Sequence, residues 1–130
     1  AGFAGSPSIH FLDGKVTRHG KQSFTTGEVI VDLERYPFEN ASSQGESVFG
    51  IRPEHVVFGD AAAGSPFSAE IPVEVVEPMG SDTLVWSKLG GQDFRFRVDG
   101  QIPVSTGETV RIGFDPARAS IFDKKTELRL

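Results

Sequence analysis

Leu89-Gly90-Gly91-Gln92-Asp93-Phe94-Arg95-Phe96-Arg97-Val98 carries a clean two-residue alternation behind a pair of glycines. Phe94, Phe96 and Val98 alternate with Arg95 and Arg97. A period of two puts the apolar residues on one face of a strand and the arginines on the other. Leu84-Val85-Trp86, on the near side of the glycines, is strand-like as well. Gly90-Gly91 between two such runs is a hairpin signal, because the favoured two-residue turn needs positive φ at its centre. The competing reading opens a helix at the glycines and turns their N–H groups into an anion cradle. No helical period flanks them, so the hairpin is the better reading.

Outward toward the C-terminus, Glu108 to Phe114 repeats the alternation: Val110, Ile112 and Phe114 against Thr109, Arg111 and Gly113. Asp115-Pro116 breaks it, Ala119 to Phe122 is a last short run, and the tail after Asp123 is charged. In the other direction, Asp82 to Leu89 is a strand holding the single Trp, Trp86, and Pro78 to Ser81 is a turn. Glu70 to Glu77 is expected as one strand with Ile71, Val73 and Val75 on one face. Gly59 to Ala69 reads as a linker, either between two sub-lobes or as a surface loop. Ser47 to Ile51 is a strand running into Gly50-Ile51-Arg52-Pro53-Glu54-His55, where Pro53 pre-sets a corner. Pro37 to Ser47 is expected as a loop. Glu28 to Leu33 places Val29, Val31 and Leu33 on one face, with Ile30 and Asp32 on the other. Lys15 to Arg18 and Gln22 to Thr25 are short strands, and Asp13-Gly14 is a turn signal. Ala1 to Ser8 is small, Gly-rich and interrupted by Pro7, the composition of a connector. Eight to ten short strands, with turns roughly every 8–12 residues, predict an all-β fold of one small barrel or a pair.

The bulk composition agrees. Of 130 residues 38 % are hydrophobic and eleven are Phe, enough for a real core, since each buried ring removes roughly 150–250 Å² from water. A charged fraction of 24 % argues against disorder. The net charge of −5, with no basic tract, argues against a nucleic-acid backbone or an anionic membrane as a general partner. Without Cys there is neither a disulfide framework nor a thiolate nucleophile. The chain opens on Ala1 rather than Met and is expected to be part of a longer protein.

The chemistry-bearing patterns are few. Gly14-Lys15 and Gly20-Lys21 lack the preceding glycine and the following helix of a phosphate loop. Leu89 to Asp93 resembles the Leu-Ser-Gly-Gly-Gln signature of ATP-binding-cassette ATPases without its Ser, but its flanks are strands. His10, His19 and His55 stand apart from one another and from carboxylates at metal-ligand spacing, so zinc is not expected. No hydrolase elbow occurs. Arg95, Arg97 and Arg111 among aromatics fit a single-strand-binding barrel, or the solvated face of a sheet. The net charge favours the latter. Asn40-Ala41-Ser42 fits a glycosylation acceptor, without a secretory signal to give it use. Gly50 to His55 collects Arg52, Glu54 and His55 within six positions, with no nucleophile or metal partner in view. It reads as a strand-ending corner whose charged residues are candidates for contact with a subunit or regulator.

Four stretches together resemble one family. Gly50-Ile51-Arg52-Pro53-Glu54-His55 is similar to the Gly-Ile-Arg-Pro-Glu-His of the C-terminal regulatory (TOBE) domain of bacterial ABC-importer ATPases of the maltose, glycerol-3-phosphate and polyamine type. Ala1 to Leu12 resembles the family's junction Gly-Phe-Ile-Gly-Ser-Pro-x-Met-Asn-Phe-Leu, with His10 where Asn is usual. Val75 to Thr83 resembles Val-Val-Glu-x-Leu-Gly-x-Glu-Thr. Phe114 to Asp123 resembles Phe-Asp-Pro-x-Arg-x-His-Leu-Phe-Asp, with Ser120 where His is common.

The resemblance implies two interleaved OB-like barrels. It implies a linker over residues 1–12 out of an ATPase domain, and the regulatory domain over 13–130. It places ATP, Mg²⁺ and hydrolysis in that ATPase domain, with no cofactor and no catalysis here. It implies a cytoplasmic subunit, peripheral on the plasma membrane without inserting in it. The implied partners are a second copy, its own ATPase domain, permease subunits through that domain, and in some members a sugar-phosphotransferase regulator. The alternatives are a small-ligand or oxyanion-binding module, as in molybdate-type barrels, and a single-stranded nucleic-acid binder.

Overall fold

β8 (Asp82–Leu89) and β9 (Gln92–Asp99) form the expected hairpin, in register from Leu89↔Gln92 to Asp82↔Asp99. Gly90 and Gly91 have φ of 60° and 80°, the left-handed pair a two-residue turn requires. Phe94 and Phe96 are fully buried and Arg97 is exposed, as the alternation predicts. In this computed structural model residues 9–39 and 44–130 are described. Asn40-Ala41-Ser42 and Ala1 to Ser8 lie outside them.

The remaining strands are β1 (His10–His19), β2 (Lys21–Thr26), β3 (Val29–Asp32), β4 (Gly45–Ile51), β5 (Val57–Phe58), β6 (Phe67–Pro72), β7 (Val75–Pro78), β10 (Thr109–Phe114) and β11 (Ser120–Asp123). Short 3₁₀ turns cover Pro53–His55, Gly59–Gly64 and Pro116–Arg118. A five-stranded sheet runs β11-β4-β1-β2-β3, and two three-stranded sheets run β5-β10-β6 and β7-β8-β9. The fold is all-β. The last strand returns to the first sheet, pairing Ser120 with Gly50 and Asp123 with Ser47, so the two halves interleave.

Four expectations change. Asp13-Gly14 is no turn, because β1 runs through it. A Cβ at Gly14 would collide with the Phe24 ring and the Thr25 carbonyl, so this glycine serves close packing. The linker expected over 1–12 gives way to β1 at His10, and Leu12 is 1 % exposed. Gly59 to Ala69 holds a 3₁₀ turn with buried Ala62 and the first residues of β6. Glu70 to Glu77 splits into β6 and β7. Val73 exchanges backbone hydrogen bonds with Glu108 and Gly107 beside β10, whereas Glu74 N donates to Trp86 O on β8. The chain changes sheets there, which leaves Val73 buried and Val75 exposed. One core then spans both halves: Phe49 lies 5.0 Å from Phe24 on β2 and 5.6 Å from Phe114 on β10, centroid to centroid.

Candidate functional site

Ile51 closes β4 as a fully buried core residue, and the chain turns at once. Arg52 is extended, and Pro53 is buried at the first position of the 3₁₀ turn, where a missing N–H costs nothing. His55 N donates to Arg52 O at 2.9 Å and Val56 N to Pro53 O at 3.3 Å. This is the corner expected from the sequence. It leaves Glu54 exposed and Arg52 and His55 half-buried.

The corner meets a second turn from the far end of the chain. Arg118 of Pro116–Arg118 lies with its guanidinium 3.2 Å from His55 Nε2. Asp115 fixes that turn: its Oδ1 accepts from Ala117 N at 2.9 Å, and its two oxygens accept from Arg35 Nε and a terminal Arg35 nitrogen at 3.0 and 2.9 Å. Two of the stretches that carried the family resemblance therefore touch through His55 and Arg118. Burial pushes the His55 pKa down, Arg118 and Arg52 push the same way, and Glu54 opposes them. Among the described residues, the buried His55 Nδ1 has no hydrogen-bond partner. Burial and the two arginine charges favour a neutral imidazole beside the exposed Glu54 carboxylate. Among the described residues no group of three or more His, Cys, Asp or Glu is placed to hold a metal ion.

Two polar clusters escaped the sequence reading. Gln92, just past the glycine turn, accepts from Asp13 N at 2.8 Å and donates to Asp13 O at 2.6 Å and Thr26 Oγ1 at 2.5 Å. It clasps β9 to β1 and β2 and lines, with Asp13 and Thr26, a cleft of about 300 Å³. The second cluster centres on His10, which is 8 % exposed. Its Nε2 lies 2.5 Å from Asp93 O and its Nδ1 3.2 Å from Arg95 Nε. Arg95 lies over Trp86, 5.0 Å from the ring centroid, and Trp86 Nε1 donates to Glu77 at 3.2 Å. The sequence had marked its members only separately: His10 where the family usually has Asn, Trp86 as the single Trp, and Arg95 on what was expected to be a solvated sheet face.

No helix among the described residues is long and apolar enough to cross a membrane. Residues 49–122 match the TOBE domain family, and residues 5–56 match the MalK OB fold domain. The chain belongs to the TOBE domain family. Its relatives include the sulfoquinovosyl glycerol transport ATP-binding protein SmoE of Agrobacterium fabrum, 36 % identical over 97 % of this chain and 34 % of that one. The trehalose/maltose import ATP-binding protein MalK of Thermococcus litoralis is 35 % identical over 97 % of this chain and 35 % of its own length. The oligosaccharides import ATP-binding protein MsmX of Bacillus subtilis is 31 % identical over 99 % and 36 %. The chain thus spans about a third of the curated relatives it matches. Among solved structures, the cytoplasmic molybdate-binding protein ModG superposes with a TM-score of 0.65 over 90 % of this chain and 97 % of that one. At 14 % identity, that likeness is one of fold alone.

Proposed function

We propose that this chain is the regulatory and dimerisation domain of the ATP-binding subunit of a bacterial importer for sugars, glycerol-3-phosphate or a similar solute. The supporting observation is coverage: nearly the whole chain aligns with about one third of each importer ATP-binding relative. In this reading ATP and Mg²⁺ are handled by the rest of the subunit, and the domain tethers two subunits while contributing no catalysis. A barrel with one continuous core suits that task, since a rigid self-complementary body biases an open–closed equilibrium without taking part in chemistry. The partners are a second copy, its own ATPase domain, the permease through that domain, and a regulator of sugar uptake. The place of work is the cytoplasmic face of the plasma membrane. Arg52, Glu54 and His55 supply a charged contact to a subunit or regulator.

Sedimentation of the chain over a wide concentration range tests the tether. A concentration-dependent dimer is expected, weakened by Glu54→Arg if the corner takes part. A strict monomer at high concentration sinks the tether. Incubation with Mg-ATP is expected to release no phosphate above the buffer blank. Calorimetric titration with molybdate, sulfate and phosphate is expected to give no saturable heat. A clear isotherm would move the assignment to an oxyanion-binding module.

A further inference from the structure

His10 joins two parts of the molecule that share no ladder. It opens β1 in the five-stranded sheet, yet both ring nitrogens engage β9 of the β7-β8-β9 sheet. The two contacts define its protonation. Arg95 Nε is a donor only, so Nδ1 accepts and carries no proton. Asp93 O is an acceptor only, so Nε2 carries one. The ring also packs edge-on against Phe94, with centroids 5.6 Å apart. Arg95 is thereby held between an imidazole acceptor and the Trp86 face, where a guanidinium is attracted to the ring.

We propose that His10, Arg95 and Trp86 form a proton-operated latch between β1 and the β7-β8-β9 sheet. Neutral, His10 holds Arg95 over Trp86. A proton on Nδ1 removes the acceptor and sets a second cation against the guanidinium, so Arg95 lets go. The surroundings favour the closed state at neutral pH. Burial is the largest influence on His10 and holds it toward the neutral form; the Asp93 carbonyl opposes this, the Arg95 charge adds to it, and the Asp93 charge opposes. Among the described residues, the charges that act on His10 are those of Arg95 and Asp93. From β9 come Arg95 and the Asp93 carboxylate, and the latter is occupied by Lys88 of β8 at 2.5 Å. Glu77 of β7 accepts from Trp86 Nε1, and β4 places apolar Ile51 opposite His10. On acidification the unfolded chain protonates at this position before the folded one. The stability present above the ordinary histidine value is therefore lost as pH falls toward the depressed folded value.

Trp86 is the single tryptophan, so its emission reports on the latch directly. Between roughly pH 8 and 5, where histidine is the ordinary side chain to titrate, the chain is expected to show one emission step. Its midpoint should fall below the usual histidine range. The step should vanish in His10→Asn and persist in His55→Gln. Nitrogen-15 NMR of the wild-type chain is expected to show His10 with a bare Nδ1 at neutral pH, taking up a proton in parallel with the emission step. A flat trace, an unchanged step in His10→Asn, or a protonated Nδ1 at neutral pH overturns the latch.

Discussion

Asp115 holds Arg35 with both carboxylate oxygens and uses Oδ1 again to cap the turn that carries Arg118. The Arg35 guanidinium is largely solvated, and solvent screening leaves such a pair little net effect. The cap matters more, because it satisfies an N–H that the turn leaves open. Asp115→Ala is therefore expected to cost about 1 kcal/mol in urea unfolding, the usual worth of a cap. Asp115→Asn keeps an acceptor and should lose less. Arg35, and then the Ala117 N–H, hold the Asp115 carboxyl below the usual carboxylate range. Its contribution is thus present above the ordinary Asp value and lost as pH falls through the depressed folded value. The acid limb of the stability profile should be flatter in Asp115→Ala; an identical limb contradicts the assignment. The Asp115-Pro116 break was legible in the sequence. Its pairing with Arg35 was not, since the two lie 80 positions apart.

The β8–β9 hairpin shows how one element serves two ends. Its glycine turn was legible because positive φ leaves a residue signature. The role of the residue after Gly91 was not legible: Gln92 leaves β9 to bond Asp13 and Thr26 on the other sheet. Gln92→Ala removes an acceptor from the Asp13 amide and should cost about 1 kcal/mol, the net worth of a typical hydrogen bond. The specific readout is hydrogen exchange, which should quicken at the Asp13 amide while the centre of β9 keeps its protection. Unchanged exchange at Asp13 would mean that Gln92 does not clasp β1 in solution. Asp13-Gly14 misleads for a related reason. Asp-Gly in isolation encodes a turn, but Phe24 from β2 needs the space that a side chain at position 14 would fill.

Across the whole molecule, β11 makes the two halves one body. Ile121 is fully buried opposite Phe49 of β4, and its N–H donates to Tyr36 Oη at 3.0 Å. Ile121→Ala should cost about 2–5 kcal/mol, the range for such truncations in a packed core. Because the core is continuous, the loss should appear in a single transition. Trp86 emission, which reports on the β7-β8-β9 sheet, should unfold together with far-UV circular dichroism. Separate midpoints would mean that the halves fold independently despite their interleaving.

Local patterns specify the strand period at Phe94 to Val98, the left-handed turn at Gly90-Gly91 and the corner at Pro53, and four ordered stretches carry the family resemblance. The strand period, the turn and the corner depend on side-chain alternation or on the φ of one or two residues, and such causes are local. The folded chain alone reveals that β11 closes the first sheet, that Glu70 to Glu77 serves two sheets, and that His10 meets Arg95 and His55 meets Arg118. Gln92 and Asp13 are 79 positions apart, and His10 and Arg95 are 85. No local pattern encodes such a distance. It is set when burying Phe24, Phe49 and Phe114 in one core brings distant strands together, and the polar groups at the rim then find their partners.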